Sequence, residues 1–171
     1  KRLQTDRVDI LFMHRFDPSS TLYLMPLWLD VRGPLDIAAL ALAVGDLVER
    51  HAVLRSVVVE VDGITTQRTS EQARVPVQLH PVDSDAALQA LLQREATTPF
   101  DLAAAPPLRV TIAPFSPERT ALLISLHHIA GDGWSLNVLA RELDALYAAR
   151  MNGRDASLPA LPVQYTDYAT W

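Results

Sequence analysis

Two adjacent histidines, His127 and His128, close an apolar run from Ala121 to Leu126; Asp132 follows four residues after the second, with Gly133 directly behind it. Imidazole is the side chain that holds or passes a proton near neutral pH. A histidine at the mouth of a strand-to-helix loop is placed to meet a substrate, and the chemistry it suits is proton transfer or hydrogen-bonded orientation of a reacting group. Asp132 has two readings: a participant in proton transfer, or a carboxylate that pairs with an arginine and holds the loop. The second is preferred, because a charge-paired aspartate has too low a pKa to act as a base at neutral pH. Gly131 and Gly133 permit backbone approaches that a Cβ would hinder, and N–H groups at the start of the following helix favour negative charge nearby. Ser135 is read as a cap of that helix rather than as a nucleophile.

The elements that must position these residues show as patterns. Alternation puts Leu122, Ile124, Leu126 and His128 on one face of a strand and Ala121, Leu123, Ser125 and His127 on the other. Only one histidine can therefore share the pocket side, and the phase does not say which. Thr120–Leu126 and Pro107–Ala113 read as paired strands joined through Ser116-Pro117. A helix beginning near Trp134-Ser135 has Leu136, Leu139, Ala140, Leu143, Leu146 and Tyr147 inward, and Asn152-Gly153 stops it. Upstream, Tyr23–Val31 alternates as a strand with Met25, Leu27, Leu29 and Val31 on one face, and Gly33-Pro34 ends it. Asp36 is the expected cap of a helix carrying Ile37, Leu40, Ala41, Val44, Leu47, Val48 and His51 at 3.6-residue spacing. Val57–Val61 and Ile64–Thr69 flank Asp62-Gly63, a strong hairpin turn. Val75–Val82 is a further strand. Asp83 or Ser84 caps a second helix, with Ala87, Leu88, Leu91 and Leu92 inward and Pro99 closing it. A proline-containing connector, Leu158–Pro162, leads to a short aromatic segment ending at Trp171. Interleaved strands and helices make the class α/β.

The bulk numbers exclude several functions. The chain has 171 residues, 49% hydrophobic and 20% charged, enough for one domain with a real core. Its net charge of -5 argues against nucleic acid, whose binders carry a basic face. No cysteine is present, so neither disulfides nor thiolate metal sites are available, and a cytoplasmic setting is expected. The most apolar stretch, Leu22–Leu29, is broken by Pro26 and falls far short of the ~20 residues that span a bilayer, and the opening lacks a signal-peptide core. No membrane partner is expected. The lack of an initiator Met and the large apolar Trp171 at the end read as a piece of a longer polypeptide. Metal binding is disfavoured because adjacent strand side chains diverge and His14, His51 and His80 are scattered; His51 is read as structural. No G-x-S-x-G elbow, P-loop or dinucleotide fingerprint occurs.

Ser125–Ser135, reading SLHHIAGDGWS, resembles the MHHxxxDGWS core motif of condensation domains of nonribosomal peptide synthetases. Glu49–Ser56 resembles that family's RHExLRT segment, with Ala52 in place of the glutamate and Ser56 in place of the threonine. Tyr165–Trp171 matches its YxDYAxW segment, preceded by the typical Leu161-Pro162-Val163-Gln164. The order and spacing agree across most of the chain. The opening departs from the pattern, since Gln4–Phe12 matches the family's first motif only loosely.

The resemblance implies a lobe like chloramphenicol acetyltransferase, with a mixed or antiparallel sheet flanked by about three main helices. Residues 1–171 would be the N-terminal lobe, with 158–171 as the connector toward a C-terminal lobe that this chain lacks. The implied reaction, in antibiotic or other secondary-metabolite biosynthesis, forms an amide. The amine of an acceptor aminoacyl thioester attacks a donor acyl or peptidyl thioester, and the donor thiol leaves. Both substrates arrive on the 4'-phosphopantetheine arms of carrier proteins, with an adenylation domain adjacent and no cofactor bound directly. His128 corresponds to the family's second histidine, which takes a proton from the amine or orients it. Gly133 N–H is a candidate stabiliser of the oxyanion, His127 and Asp132 shape the loop, and Arg50 or Arg55 is the candidate partner of Asp132. Trp134 and Ser135 belong to the structural part of the site. The competing readings are an epimerisation domain, a coenzyme A-dependent O- or N-acyltransferase, and a non-catalytic condensation-like docking module. Gly133-Trp134-Ser135 and Tyr165–Trp171 favour condensation.

Overall fold

A computed structural model describes residues 21–71 and 74–170. The readings on the opening segment, including Gln4–Phe12 and His14, and the end at Trp171 lie outside these residues. The chain runs β1 (Leu24–Arg32), α1 (Ile37–Arg50), a 3-10 turn (Ala52–Arg55), β2 (Ser56–Val61), β3 (Ile64–Thr69), β4 (Val77–Leu79), α2 (Asp85–Thr97), β5 (Leu108–Ser116), β6 (Arg119–His127), α3 (Gly133–Met151) and α4 (Tyr165–Thr170).

One sheet has the order β1-β6-β5-β4. β6 is antiparallel to both β1 and β5, and β4 joins β5 in parallel, so the sheet is mixed. The side-chain period of two then decides which helix each residue meets. Leu122, Ile124 and Leu126 of β6, with Val110 and Ile112 of β5, pack beneath Leu40, Val44 and Leu47 of α1 and Leu139, Leu143 and Leu146 of α3. Ala113, Ala121 and Leu123 face the opposite way, toward Leu88 and Leu91 of α2. The expected strand Val75–Val82 is regular only over the three residues of β4, although the chain keeps bonding to β5 beyond it, His80 N–H to the Ile112 carbonyl at 2.8 Å and Val82 N–H to the Pro114 carbonyl at 3.0 Å. A fully buried leucine contributes about 1.5–3 kcal/mol. Helices of 13 to 19 residues are marginal in isolation, so this burial is what fixes them.

The ends are set by local chemistry. Asp36 accepts the Ala39 N–H at 2.9 Å, and Ser84, rather than Asp83, accepts from Ala87 at 3.2 Å. Asp62 (φ 52°) and Gly63 (φ 76°) both occupy the left-handed region, which gives the β2–β3 hairpin its two-residue turn. That hairpin stands apart from the main sheet, and all of β3 is exposed.

Candidate functional site

β6 ends at His127, and α3 begins six residues later at Gly133. The turn between them is tied at each step. His127 N–H donates to the Pro107 carbonyl (2.9 Å), His128 N–H to the Tyr23 carbonyl (2.8 Å), and Ala130 N–H back to the His127 carbonyl (2.9 Å). The two histidines part here as alternation requires. His127 is buried, at 7% exposure, on the α2 side of the sheet, while His128 is partly exposed past the strand end.

The His127 ring is locked. Its Nδ1 accepts the Ile129 N–H at 3.1 Å, so the neutral ring carries its proton on Nε2. Phe100 lies perpendicular to it with centroids 6.0 Å apart, and Tyr23 tilts against it at the same distance. Burial, with a smaller contribution from the neighbouring His128, pushes its pKa below the usual histidine value.

Asp132 is the N-cap of α3. Its Oδ1 accepts both the Ser135 N–H (2.9 Å) and the Ser135 hydroxyl (2.8 Å), while Asp132 N–H donates to Ser135 Oγ (3.1 Å). This reciprocal capping box satisfies donors that the helix would otherwise leave open. The backbone N–H of Ser135, followed by its hydroxyl, holds the Asp132 carboxyl below the usual range. The expected arginine pairing is corrected on two counts. Arg50 Nε lies on Glu142 Oε2 at 3.0 Å and its Nη2 on the Pro159 carbonyl at 2.6 Å. Arg55 Nη1 donates to the Ser70 carbonyl at 2.8 Å and ties the 3-10 turn to the end of β3. Neither arginine pairs with Asp132; the local helix cap takes that carboxylate instead. Ser135 sits two residues inside the helix and reciprocates the cap rather than being it, so α3 starts at Gly133, one residue earlier than expected.

The two glycines of the loop do different things. A Cβ on Gly131 would lie 2.8 Å from Ser135 Cβ, 3.0 Å from its Oγ and 3.3 Å from Leu126 Cδ2, so the loop packs against the cap only because that Cβ is absent. A Cβ on Gly133 would meet nothing within 4 Å. As the first residue of α3, Gly133 has an N–H with no intrahelical acceptor. Trp134 beside it is 76% exposed. Partly exposed His128, exposed Gly133 and exposed Trp134 thus share one end of the lobe, and a small hollow beside Ile129 is lined by Val58 and Leu102. An open groove lies elsewhere, lined by Asp46, Glu49 and Arg50 of α1 and by Leu161 and Gln164.

Three features escape sequence reasoning. Glu142 is a hub: its Oε2 takes both Arg50 Nε and His51 Nε2 (2.6 Å), and these two bonds, working against the cost of burial, lower its pKa. The signal was an acid flanked by the inward residues Leu139 and Leu143 of α3. Gln164 clamps the 158–164 segment to the end of α1: its Nε2 donates to the Arg50 carbonyl and its Oε1 accepts the Ala52 N–H, both at 3.0 Å. Glu95, Phe100 and Arg109 form a stack behind His127. Among the described residues no group of three or more His, Asp or Glu is arranged to hold a metal ion, and no helix is long and apolar enough to cross a membrane.

Comparison with known proteins identifies the family. The Condensation domain family model matches residues 6–171. A probable non-canonical nonribosomal peptide synthetase, CymA, of Salinispora arenicola is 44% identical over 94% of the chain, and a dimodular nonribosomal peptide synthase of Bacillus subtilis is 38% identical over 94%. The chain spans only 2% and 7% of those proteins. Among solved structures, the X-domain from teicoplanin biosynthesis in complex with OxyB superposes over 100% of this chain and 38% of its own, with a TM-score of 0.87 and 30% identity. The starter condensation domain of rhizomide synthetase shares the fold, with a TM-score of 0.83 at 18% identity over 99% of this chain and 42% of its own. Histidine loop, capped helix, mixed sheet and sequence kinship converge: the chain belongs to the condensation-domain family of nonribosomal peptide synthetases.

Proposed function

We propose that this chain is the first of two lobes of an amide-forming catalyst, with the 158–170 segment leading toward the second. The acceptor amine attacks the donor thioester carbonyl, a C–N bond forms, and collapse of the tetrahedral intermediate breaks the C–S bond. The proton lost by the amine ends on the departing thiolate, which leaves as the thiol. His128 acts mainly by orienting the amine and accepting a partial proton, because a neutral amine is already a good nucleophile. Holding two tethered reactants together supplies much of the rate. The open N–H of Gly133 at the α3 terminus suits the oxyanion. His127 and Asp132 hold the loop and touch no substrate. The partners are carrier proteins bearing 4'-phosphopantetheine, the second lobe and an adjacent adenylation domain, in a cytoplasmic setting.

The observation that carries this reading is the division of labour in the pair: one histidine locked by a backbone N–H, the next partly exposed beside the open end of a capped helix. A second reading, a non-catalytic docking module, is favoured by the likeness to the X-domain solved with OxyB. The two separate in one assay. The polypeptide carrying this chain is given a donor and an acceptor, each loaded on its carrier. The catalytic reading expects an amide product on the acceptor carrier. Binding of carriers with no amide formed favours the docking module.

A further inference from the structure

We propose that Arg109 is a positioning residue for the histidine loop, acting through Phe100 and His127; the proposal rests on the amide-forming reading above. Arg109 lies on β5 with its side chain 17% exposed, an expensive place for a permanently charged guanidinium. Its surroundings explain why it is tolerated. Nη1 donates to the Pro99 carbonyl at 2.9 Å, and Nη2 to the carbonyls of Thr98 at 2.6 Å and Glu95 at 3.2 Å. These are carbonyls at the C-terminal end of α2 that the helix itself leaves open. The Glu95 carboxylate, itself buried, lies 3.6 Å from Nε and balances the charge.

The contacts continue in one direction. The guanidinium carbon sits 4.1 Å above the centre of the Phe100 ring, a cation-π geometry that fixes the plane of that ring. Phe100 is 4% exposed and lies perpendicular to His127, at an interplanar angle of 87°. The His127 ring then presents Nδ1 to the Ile129 N–H, which sets the turn carrying His128. A leucine in place of Phe100 would fill much of the volume, but it could neither receive the guanidinium on a π face nor make the perpendicular ring contact with His127. The chain of contacts therefore specifies orientation as well as packing. It predicts that the angle of the His128 backbone depends on a residue two contacts away on another strand.

The test uses two variants in the full polypeptide. Arg109→Lys keeps the charge partner of Glu95 but loses the planar fork, and Phe100→Leu keeps the ion pair but loses the ring. Hydrogen exchange at peptide 127–131 and single-turnover amide formation from loaded carriers are read together. Both variants are expected to speed exchange at 127–131 about tenfold and to lower the saturated rate about tenfold at unchanged KM, while peptides of α1 and α3 keep their protection. Wild-type exchange and wild-type saturated rate in the folded variants would overturn the proposal, whatever happened to the melting temperature. If Arg109→Lys fails to fold, Phe100→Leu alone decides. If His128→Ala keeps full turnover while the exchange effect persists, the functional reading fails and the positioning chain stands.

Discussion

Replacing Gly131 with alanine perturbs the loop at its tightest point. The new Cβ would sit 2.8 Å from Ser135 Cβ and 3.0 Å from its Oγ. Ser135 Cβ is no flexible tip, and Ser135 is pinned by its N–H and hydroxyl bonds to Asp132. To make room, the loop must back away from the cap or the cap must open. Overpacking of this kind costs about 1–3 kcal/mol, and a lost cap about 1 kcal/mol more. At roughly 2–4 °C per kcal/mol for a chain of this size, the melting temperature should fall by roughly 5–15 °C. Gly133→Ala supplies the contrast. Its Cβ meets nothing within 4 Å, and alanine is the better helix former by up to about 1 kcal/mol, so its melting temperature should hold or rise slightly. Thermal melting followed by far-UV circular dichroism compares the two directly. A Gly131→Ala variant that melts within about 1 °C of the parent, or a Gly133→Ala variant that melts lower than Gly131→Ala, would refute the packing argument.

Asp132→Ala should cost about 1 kcal/mol in a denaturant titration, and Asp132→Asn only a few tenths, because asparagine also caps; equal losses would return the carboxylate to an ion-pairing role. Burial holds the folded-state pKa of His127 below its unfolded value of about 6.5, so the unfolded chain binds the proton first. The stability this ring contributes is complete above that value and lost as pH falls through the folded pKa. Melting temperature should drop between pH 7.5 and 5.5, and His127→Gln should flatten that slope; a parallel slope in the variant would count against it. Leu126→Ala removes a side chain with 0% exposure beneath α1 and α3, and should cost about 2–5 kcal/mol by urea unfolding. Gln164→Ala should speed hydrogen exchange at the Ala52 amide, which it now shields, while the β6 amides stay protected.

What could be read from the sequence was what short-range chemistry decides. Asp36 as a cap, Asp62-Gly63 as a turn and the two faces of the strand from Ala121 to His127 follow from a few neighbouring residues, and the structure holds all three. What could not be read depends on residues far apart in the chain. The placement of β1 and β5 on either side of β6 comes from registers such as Leu27↔Ile124, and it is this placement that buries His127 and leaves His128 partly exposed. Sequence pairs Arg50 or Arg55 with Asp132 because it carries no distances, and the structure gives Arg50 to Glu142 instead. Glu142, 92 residues away, is brought to it by the packing of α1 against α3, while Asp132 is claimed by a serine three residues on. Nothing in the local sequence singles out Arg109 or Glu95, which the fold brings together at the end of α2 beside Phe100.

The most direct test is the single-turnover rate of amide formation with His128→Ala, measured beside its melting temperature in the full polypeptide. Removing the imidazole proposed to meet the amine should lower the rate by about 10²-fold or more, the range for general acid–base groups. Melting should shift by no more than about 2 °C, because the fold is held by the burial beneath α1 and α3 rather than by this partly exposed ring. A stable variant that forms amide at the parent rate would contradict the role assigned to His128.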